Sequence, residues 1–281
     1  MSDVRSVDLV ASKDLAALRQ LLPQVRDYEP EEVTVGRSTS TVYRLVSPDL
    51  PTLFLKTAVD VDAAELIAEH DRLHWLAGRV PVPRIVGFAV DDNRSYLLTE
   101  GLPGINAAEV PARLQSQVIA QFAVELRKMH SVDVGECPFD RTLEQVLPAA
   151  RARAMAGRVD EADFDVQRLG YTAMALLGSL YQARPESEDI VVTHGDACLP
   201  NAIFDDETFS GFVDCSRCGR ADRYQDLALA VRSINSNFGG HFAAEFLDAY
   251  GIDRVDAEKV SYYQLVDEFF QRGQAPSNAP L

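Results

Sequence analysis

The rhythm of apolar and polar positions changes near residue 105. Before that point, short alternating runs with the period of strands cover residues 32–36, 41–45, 52–57, 85–90 and 94–99. Turn-forming pieces separate them, among them Ser47-Pro48-Asp49 and Asp91-Asp92-Asn93. Two helical patterns interrupt the strands. One follows Ser12, an N-cap candidate, as far as Leu22; the other covers residues 62–77 and sets Leu66, Ile67, His70, Leu73 and Leu76 near one face. After residue 105 helical spacing prevails. It is clearest over residues 114–130, where Val118, Ile119, Phe122, Leu126 and Met129 recur at helical intervals, and it returns over 143–156, 169–183, 223–234, 241–250 and 257–270. Three short strands are predicted among these helices, at 190–193, 202–204 and 211–214. The pattern predicts an α+β chain with a small antiparallel-sheet N-lobe over residues 1–104, its last five residues the connection, and a larger helical C-lobe over 105–270. A tail of Gly, Pro, Ser and Asn is predicted flexible over 271–281.

Composition narrows what such a chain binds. The 281 residues carry 27 Lys plus Arg against 43 Asp plus Glu, a net charge of −16. Affinity for phosphate backbones rests on clustered bases, so nucleic acid is not an expected partner, and neither is an anionic membrane surface. A cationic small molecule stays open. No apolar segment reaches the roughly 18 residues of a membrane helix, and Asp3, Asp8, Asp14, Asp27 and Glu29 break up the start of the chain, so a cytoplasmic protein is expected. Cys137, Cys198, Cys215 and Cys218 are too few for a disulfide scaffold, and the Cys215–Cys218 spacing lacks a second pair to complete a zinc site.

Chemistry concentrates in Thr193-His194-Gly195-Asp196-Ala197-Cys198-Leu199-Pro200-Asn201, read as strand, sharp loop and strand, with Phe212-Val213-Asp214 following. Singly, Asp196 is also readable as a turn cap, Asn201 as a loop residue and Asp214 as a partner of Arg217. At this spacing they match phosphoryl transfer: one Asp takes the proton of the attacking hydroxyl, while Asn and a second Asp supply hard oxygens to a divalent cation. His194 reads as a residue that orients the loop. Such chemistry calls for a cation on an N-lobe strand to hold nucleotide phosphates, and Lys56 alternates into that place. Its helix partner is read as Glu69, with Glu65 second. The loop over residues 35–42 has one Gly and offers Ser38 and backbone N–H groups to phosphate, and residues 99–104 stand where backbone groups meet adenine.

Residues 192–201 and 211–217, the run Asp222-Arg223-Tyr224-Gln225-Asp226-Leu227-Ala228-Leu229-Ala230, and Asp267-Glu268-Phe269-Phe270 resemble the aminoglycoside 3′-phosphotransferases. The pieces Cys137-Pro138-Phe139-Asp140 and 157–165 resemble them as well, so the likeness spans about residues 33–270. It implies a bilobal protein-kinase-like fold and phosphorylation of an aminoglycoside 3′-hydroxyl with ATP (GTP also open) and Mg²⁺, conferring resistance, in a monomer or weak dimer. Kinases of other small amino-containing metabolites form the alternative. By position it implies Asp196 as the catalytic Asp, Asn201 and Asp214 as metal ligands, Lys56 and Glu69 as the nucleotide-lobe ion pair, and Glu100 and Leu102 as the hinge. Asp163, Asp165, Arg217, Arg232, Asp267 and Glu268 match positions lining the drug pocket.

Acids suit a substrate bearing several ammonium groups, because they accept charge-assisted hydrogen bonds. Asp160, Glu161, Asp163 and Asp165 form a run without a base, and Asp267 and Glu268 stand near a helix end that disfavours acids, so a cationic ligand is expected there. Several positions depart from the family. Its chains commonly end at the Phe matching Phe270, whereas here Gln271 follows. Ser233, Ser236 and Asn237 replace frequent acids, Val166 replaces another, and Ser216 stands for Gly. Fewer ion pairs to the drug, and a narrower or shifted substrate range, are the expected result.

Overall fold

The computed structural model describes residues 21–33, 40–91 and 94–271. They fall into two compact units, one built from the described residues up to Ala77 and from Pro83–Leu102, the other from Gly78–Val82 and from Pro103 onward.

The first unit is an antiparallel sheet of strands β1 (Glu29–Val33), β2 (Thr41–Val46), β3 (Leu53–Val59), β4 (Ile85–Asp91) and β5 (Arg94–Glu100), ordered β1-β2-β3-β5-β4. β1 begins earlier than the expected run at 32–36 and contains Pro30; a residue without N–H is tolerated there because β1 is an edge strand. Alternation in β2, β3 and β5 buries Tyr43, Leu45, Leu53, Leu55, Tyr96 and Leu98 on one face, where Leu22, Val25 and Tyr28 complete the core. Burying each such leucine contributes about 1.5–3 kcal/mol. Helix α1 (Asp60–Leu76) packs on β3 and β5, with Leu66, Leu73 and Leu76 buried.

The second unit holds helices α2 (Gln115–His130), α3 (Leu143–Met155), α4 (Ala173–Gln182), α5 (Tyr224–Asn237), α6 (Gly240–Tyr250) and α7 (Ala257–Asp267). The expected stripe of α2 is fully buried, and Phe122 in it meets Phe246 at 5.4 Å between ring centroids. α4 starts four residues later than its apolar pattern. Gly170 takes φ 88°, and the Thr172 hydroxyl caps the helix by accepting from the Ala175 N–H at 3.2 Å. Two small sheets complete the unit: β7 (Ile190–Thr193) pairs with β10 (Gly219–Asp222), while β6 (Ile105–Asn106), β8 (Ala202–Asp205) and β9 (Thr208–Phe212) form the other. The strand expected over 211–214 is thus displaced. A two-residue turn at Asp206 and Glu207, with Asp206 at φ 51°, starts β9 earlier, and β9 ends before Asp214. The Phe212 N–H donates to the Pro81 carbonyl at 2.9 Å, which ties the 78–82 segment to β9. Among the described residues no helix is long and apolar enough to cross a membrane.

Candidate active site

The loop from β7 to β8 carries Asp196 and Asn201. Its shape is held by hydrogen bonds that leave little freedom. The His194 Nε2–H donates to the Val213 carbonyl at 2.9 Å, and Nδ1 accepts the Asp196 N–H at 3.2 Å, so these partners select the neutral Nε2–H tautomer. The Asn201 amide donates to the Asp196 carbonyl at 2.9 Å, and the Asn201 carbonyl accepts the Val213 N–H at 2.9 Å. One histidine and one asparagine therefore join the Asp196 loop to the residue before Asp214. Asp214 itself takes φ 59°, a left-handed conformation unusual for a residue with a side chain, and turns the chain out of the β9 direction. Gly195 has φ 85°, and a Cβ there would lie 2.3 Å from the Arg217 carbonyl oxygen, so only glycine fits.

Beneath the loop lies Asp226 of α5, fully buried. Its Oδ2 accepts from the His194 N–H at 2.6 Å and from His130 Nε2 at 2.9 Å, and its Oδ1 accepts from the Gly195 N–H at 2.7 Å. A carboxylate taken out of water is tolerable only when its lone pairs are met, and here three donors meet them. His130 is held in turn by the Tyr250 hydroxyl at 2.7 Å from Nδ1. Sequence reasoning assigned Asp226 no role. Its signal was an acid inside the apolar run of α5, which no solvated face explains.

Electrostatics bring Asp196, Asp214, Arg217 and Asp267 into one cluster. Burial raises the Asp196 carboxyl above the usual carboxylate range, and the charges of Asp267 and Asp214 add to this, against Arg217. A carboxylate raised in this way is a better proton acceptor than a free one. Burial and the same negative neighbours, Asp196 foremost, push the Cys198 thiol well up, so it stays protonated and is no nucleophile.

The acids expected to lack cationic partners have them within the chain. Arg217 donates to Asp267 at 2.8 Å and to the Phe270 carbonyl, and Arg232 pairs with Asp267 and, at 3.3 Å, with Asp165. Arg168 reaches Asp165 at 3.2 Å and Glu268 at 3.0 Å. The expectation that Asp267 and Glu268 wait for an external cation is corrected accordingly: arginines distant in sequence neutralise them. Burial opposes the Asp267 charge, but Arg217 and Arg232 prevail and hold its carboxyl below the usual range. Glu268 is different. Burial, then Asp165, push it up to about 7 despite Arg168. Within the acidic run, Glu161 accepts from the Ala173 N–H at the start of α4 at 2.7 Å and Asp160 closes a turn onto the Ala162 N–H at 3.0 Å, both structural uses. The Gln271 N–H donates to the Asp267 carbonyl at 2.9 Å, and with its side-chain amide turned to satisfy both ends Gln271 donates to the Asp163 carbonyl at 3.0 Å and accepts from Arg232 at 2.9 Å. The residue that follows Phe270 is thereby built into this network.

In the first unit Lys56 of β3 meets Glu69 of α1 at 2.6 Å, with both side chains largely covered. The strand alternation that buries Leu53 and Leu55 on one side presents Lys56 to the helix on the other. Glu100 ends β5 with its carboxylate on Arg84, so its backbone, not its side chain, is what it has to offer a ligand; Leu102 follows two residues on. Ser38 lies outside the described residues.

The sequence model of the phosphotransferase enzyme family, APH, matches residues 30–263. An aminoglycoside 3′-phosphotransferase of Streptomyces fradiae is 39% identical over 270 residues, covering 92% of this chain and 100% of that protein. Among solved structures, an aminoglycoside 3′-phosphotransferase of type VIII superposes with a TM-score of 0.84 at 37% identity, covering 91% of this chain and 98% of the other. The aminoglycoside phosphotransferase APH(3″)-Id of Streptomyces rimosus, in complex with ADP and streptomycin, gives a TM-score of 0.78 at 30% identity, covering 91% and 98%. The α+β architecture is therefore the protein-kinase-like one of these neighbours. By its matching motifs, its fold and the length over which both extend, the chain belongs to the aminoglycoside phosphotransferase family and is a phosphotransferase enzyme.

Proposed function

We propose that the protein transfers the γ-phosphoryl group of ATP to the 3′-hydroxyl of a kanamycin- or neomycin-type aminoglycoside, and so confers resistance. The observation that carries this reading is the locked loop: His194, Asn201 and Asp226 hold Asp196 beside the segment that ends at Asp214. Asp196 receives the proton of the attacking hydroxyl and aims the oxygen. Proton acceptance by a positioned base contributes about 10²–10⁴-fold.

The donor set suits Mg²⁺. The nitrogen of the Asn201 amide is spent on the Asp196 carbonyl, which leaves its oxygen as the hard donor, and Asp214 supplies a carboxylate. Two chain oxygens suit a cation that fills its shell with phosphate oxygens and water; when bound it supplies charge neutralisation at the phosphates. Lys56, oriented by Glu69, holds nucleotide phosphate, with Ser38 and its loop as a further contact, and the backbones of Glu100 and Leu102 receive adenine. Asp163 and Asp165, with Asp267 and Glu268 held beside them by Arg168, Arg217 and Arg232, line the place where the drug is received. The ADP and streptomycin complex of the Streptomyces rimosus relative supports a nucleotide and an aminoglycoside as the two substrates.

The test is ATP consumption by the purified chain over a panel of aminoglycosides with and without a 3′-hydroxyl, beside protection of a susceptible host. Turnover confined to compounds with that hydroxyl is expected, and Asp196→Asn abolishes it while leaving thermal stability near wild type. Near-full turnover by Asp196→Asn refutes the assignment. Turnover of compounds lacking the hydroxyl redirects the regiochemistry to another position.

A further inference from the structure

We propose that Arg168 is a specificity-determining residue, because its guanidinium stands between Asp165 and Glu268 in the place a substrate ammonium group would take. The inference rests on the aminoglycoside reading above and names the subsite that sets which aminoglycosides gain from it.

Arg168 is held from three sides. Nη1 donates to Asp165 Oδ2 at 3.2 Å and to Glu268 Oε1 at 3.0 Å, and Nη2 donates to the Ser261 carbonyl at 3.2 Å. Its side chain is 12% exposed, and that of Glu268 is fully covered. A guanidinium and a primary ammonium compete for the same carboxylate oxygens, and the guanidinium has the advantage of being tethered to the chain. The acids Asp165, Asp267 and Glu268 are met by the bases Arg168, Arg217 and Arg232, so this network offers an incoming polycation no surplus negative charge. Val166, the neighbour of Asp165, is 86% exposed and adds no further carboxylate.

Arg168 differs from the other two arginines in its support. Arg232 is fixed on helix α5, and Arg217 is bonded to Asp267 and to the Phe270 carbonyl. Arg168 sits in a turn before α4, closed by its own N–H on the Asp165 carbonyl at 2.6 Å. It is the member of the network whose side chain alone spans Asp165 and Glu268. An ammonium aimed at that pair must displace it, so the substrate gains little from carrying an ammonium there. Arg168→Met keeps an unbranched apolar stem but ends short of the guanidinium's place and removes the charge, which opens the subsite, whereas Arg168→Lys keeps a cation in it.

The experiment measures kcat and KM for wild type, Arg168→Met and Arg168→Lys with substrates differing by one ammonium exchanged for hydroxyl: neomycin against paromomycin, and kanamycin B against kanamycin A. Wild type is expected to treat the members of at least one pair within about threefold. Arg168→Met should favour the ammonium member of that pair by about tenfold, which corresponds to about 1.4 kcal/mol. The gain should appear in KM with kcat unchanged, and Arg168→Lys should retain the wild-type ratio. Ratios in Arg168→Met equal to wild type in both pairs overturn the inference, as does an equal loss for both members, which marks a merely structural role.

If Arg168→Met does not fold, the structure of wild type bound to neomycin decides. Either Arg168 or an ammonium on the Asp165–Glu268 pair, but not both, agrees with competition; both together overturn it. Absence of turnover with every aminoglycoside defeats the functional reading itself, whereas turnover with unchanged ratios defeats only the role of Arg168.

Discussion

Asp226→Asn is the sharpest test of how this enzyme holds the Asp196 loop, the loop proposed to be catalytic. The carboxylate accepts from the backbone N–H groups of His194 and Gly195 and from His130, all within 2.6–2.9 Å and out of water. An asparagine of the same shape has one acceptor. With its oxygen in the Oδ2 place it keeps His194 and His130, but its amide then faces the Gly195 N–H, donor against donor. One charge-assisted bond is lost and a buried donor is left unmet, at a cost of about 2–4 kcal/mol. For a chain of this length that lowers Tm by about 5–15 °C. Relief comes most easily by moving Gly195, which carries Asp196 with it, and a displacement near 1 Å at a reacting group costs about 10²-fold in kcat. Asp222 is the control. It is equally buried, and it binds Lys259 at 2.5 Å and the N–H groups of Asp189 and Tyr224, none of them in the loop. Asp222→Asn should therefore lower Tm to a similar extent and leave kcat within about threefold. Thermal melting and steady-state ATP turnover on both variants read the difference. Wild-type kcat in Asp226→Asn, or an equal loss in Asp222→Asn, refutes the positioning argument.

Lys56→Ala removes the ammonium that Glu69 holds at 2.6 Å, and should raise KM for ATP at least about tenfold and cost about 1–3 kcal/mol of stability; an unchanged KM removes Lys56 from the nucleotide site. Glu268→Gln bears on pH. Burial first, then Asp165, raise the Glu268 carboxyl to about 7 in the folded chain. The folded state then binds more protons than the unfolded one between about pH 4.5 and pH 7, so this group favours folding at low pH and its contribution is lost as pH rises through 7. Glu268→Gln should gain on wild type by up to about 3 kcal/mol between pH 5 and pH 8 in denaturant titrations, and a difference that stays flat with pH contradicts the assignment.

What the sequence made legible was local or governed by spacing. Lys56 followed from alternation in β3 and Glu69 from its place on α1, and the pair meets at 2.6 Å. The Asp196 and Asn201 spacing located the loop because a short strand on either side frames it. The misses were tertiary. Strand β10, with only Ala221 apolar among its four residues, has no pattern of its own and exists through pairing with β7. The displaced β9 turned on a positive φ at Asp206, a residue type that tolerates it without advertising it. Asp267 and Glu268 looked unpartnered because Arg217 lies 50 and Arg168 100 residues away along the chain, and no window of local sequence couples such positions. Asp226 was hidden for the same reason, since its partners are backbone N–H groups about 30 residues upstream.

Gly195 bears on how such an enzyme diversifies under selection. Its missing Cβ is what lets the loop carrying Asp196 lie against the Arg217 carbonyl, so this is a seam where the chemical apparatus touches the ion-pair network. Away from that seam the two are supported by different residues, Asp226 and His194 for one, Arg168 and Arg232 for the other. If residues 165–168 set substrate choice as proposed, antibiotic range can drift by single codon changes there while the Asp196 loop keeps its own supports. At position 195 that freedom is absent: any side chain strains the backbone, displaces Asp196 and disturbs Arg217 in one step.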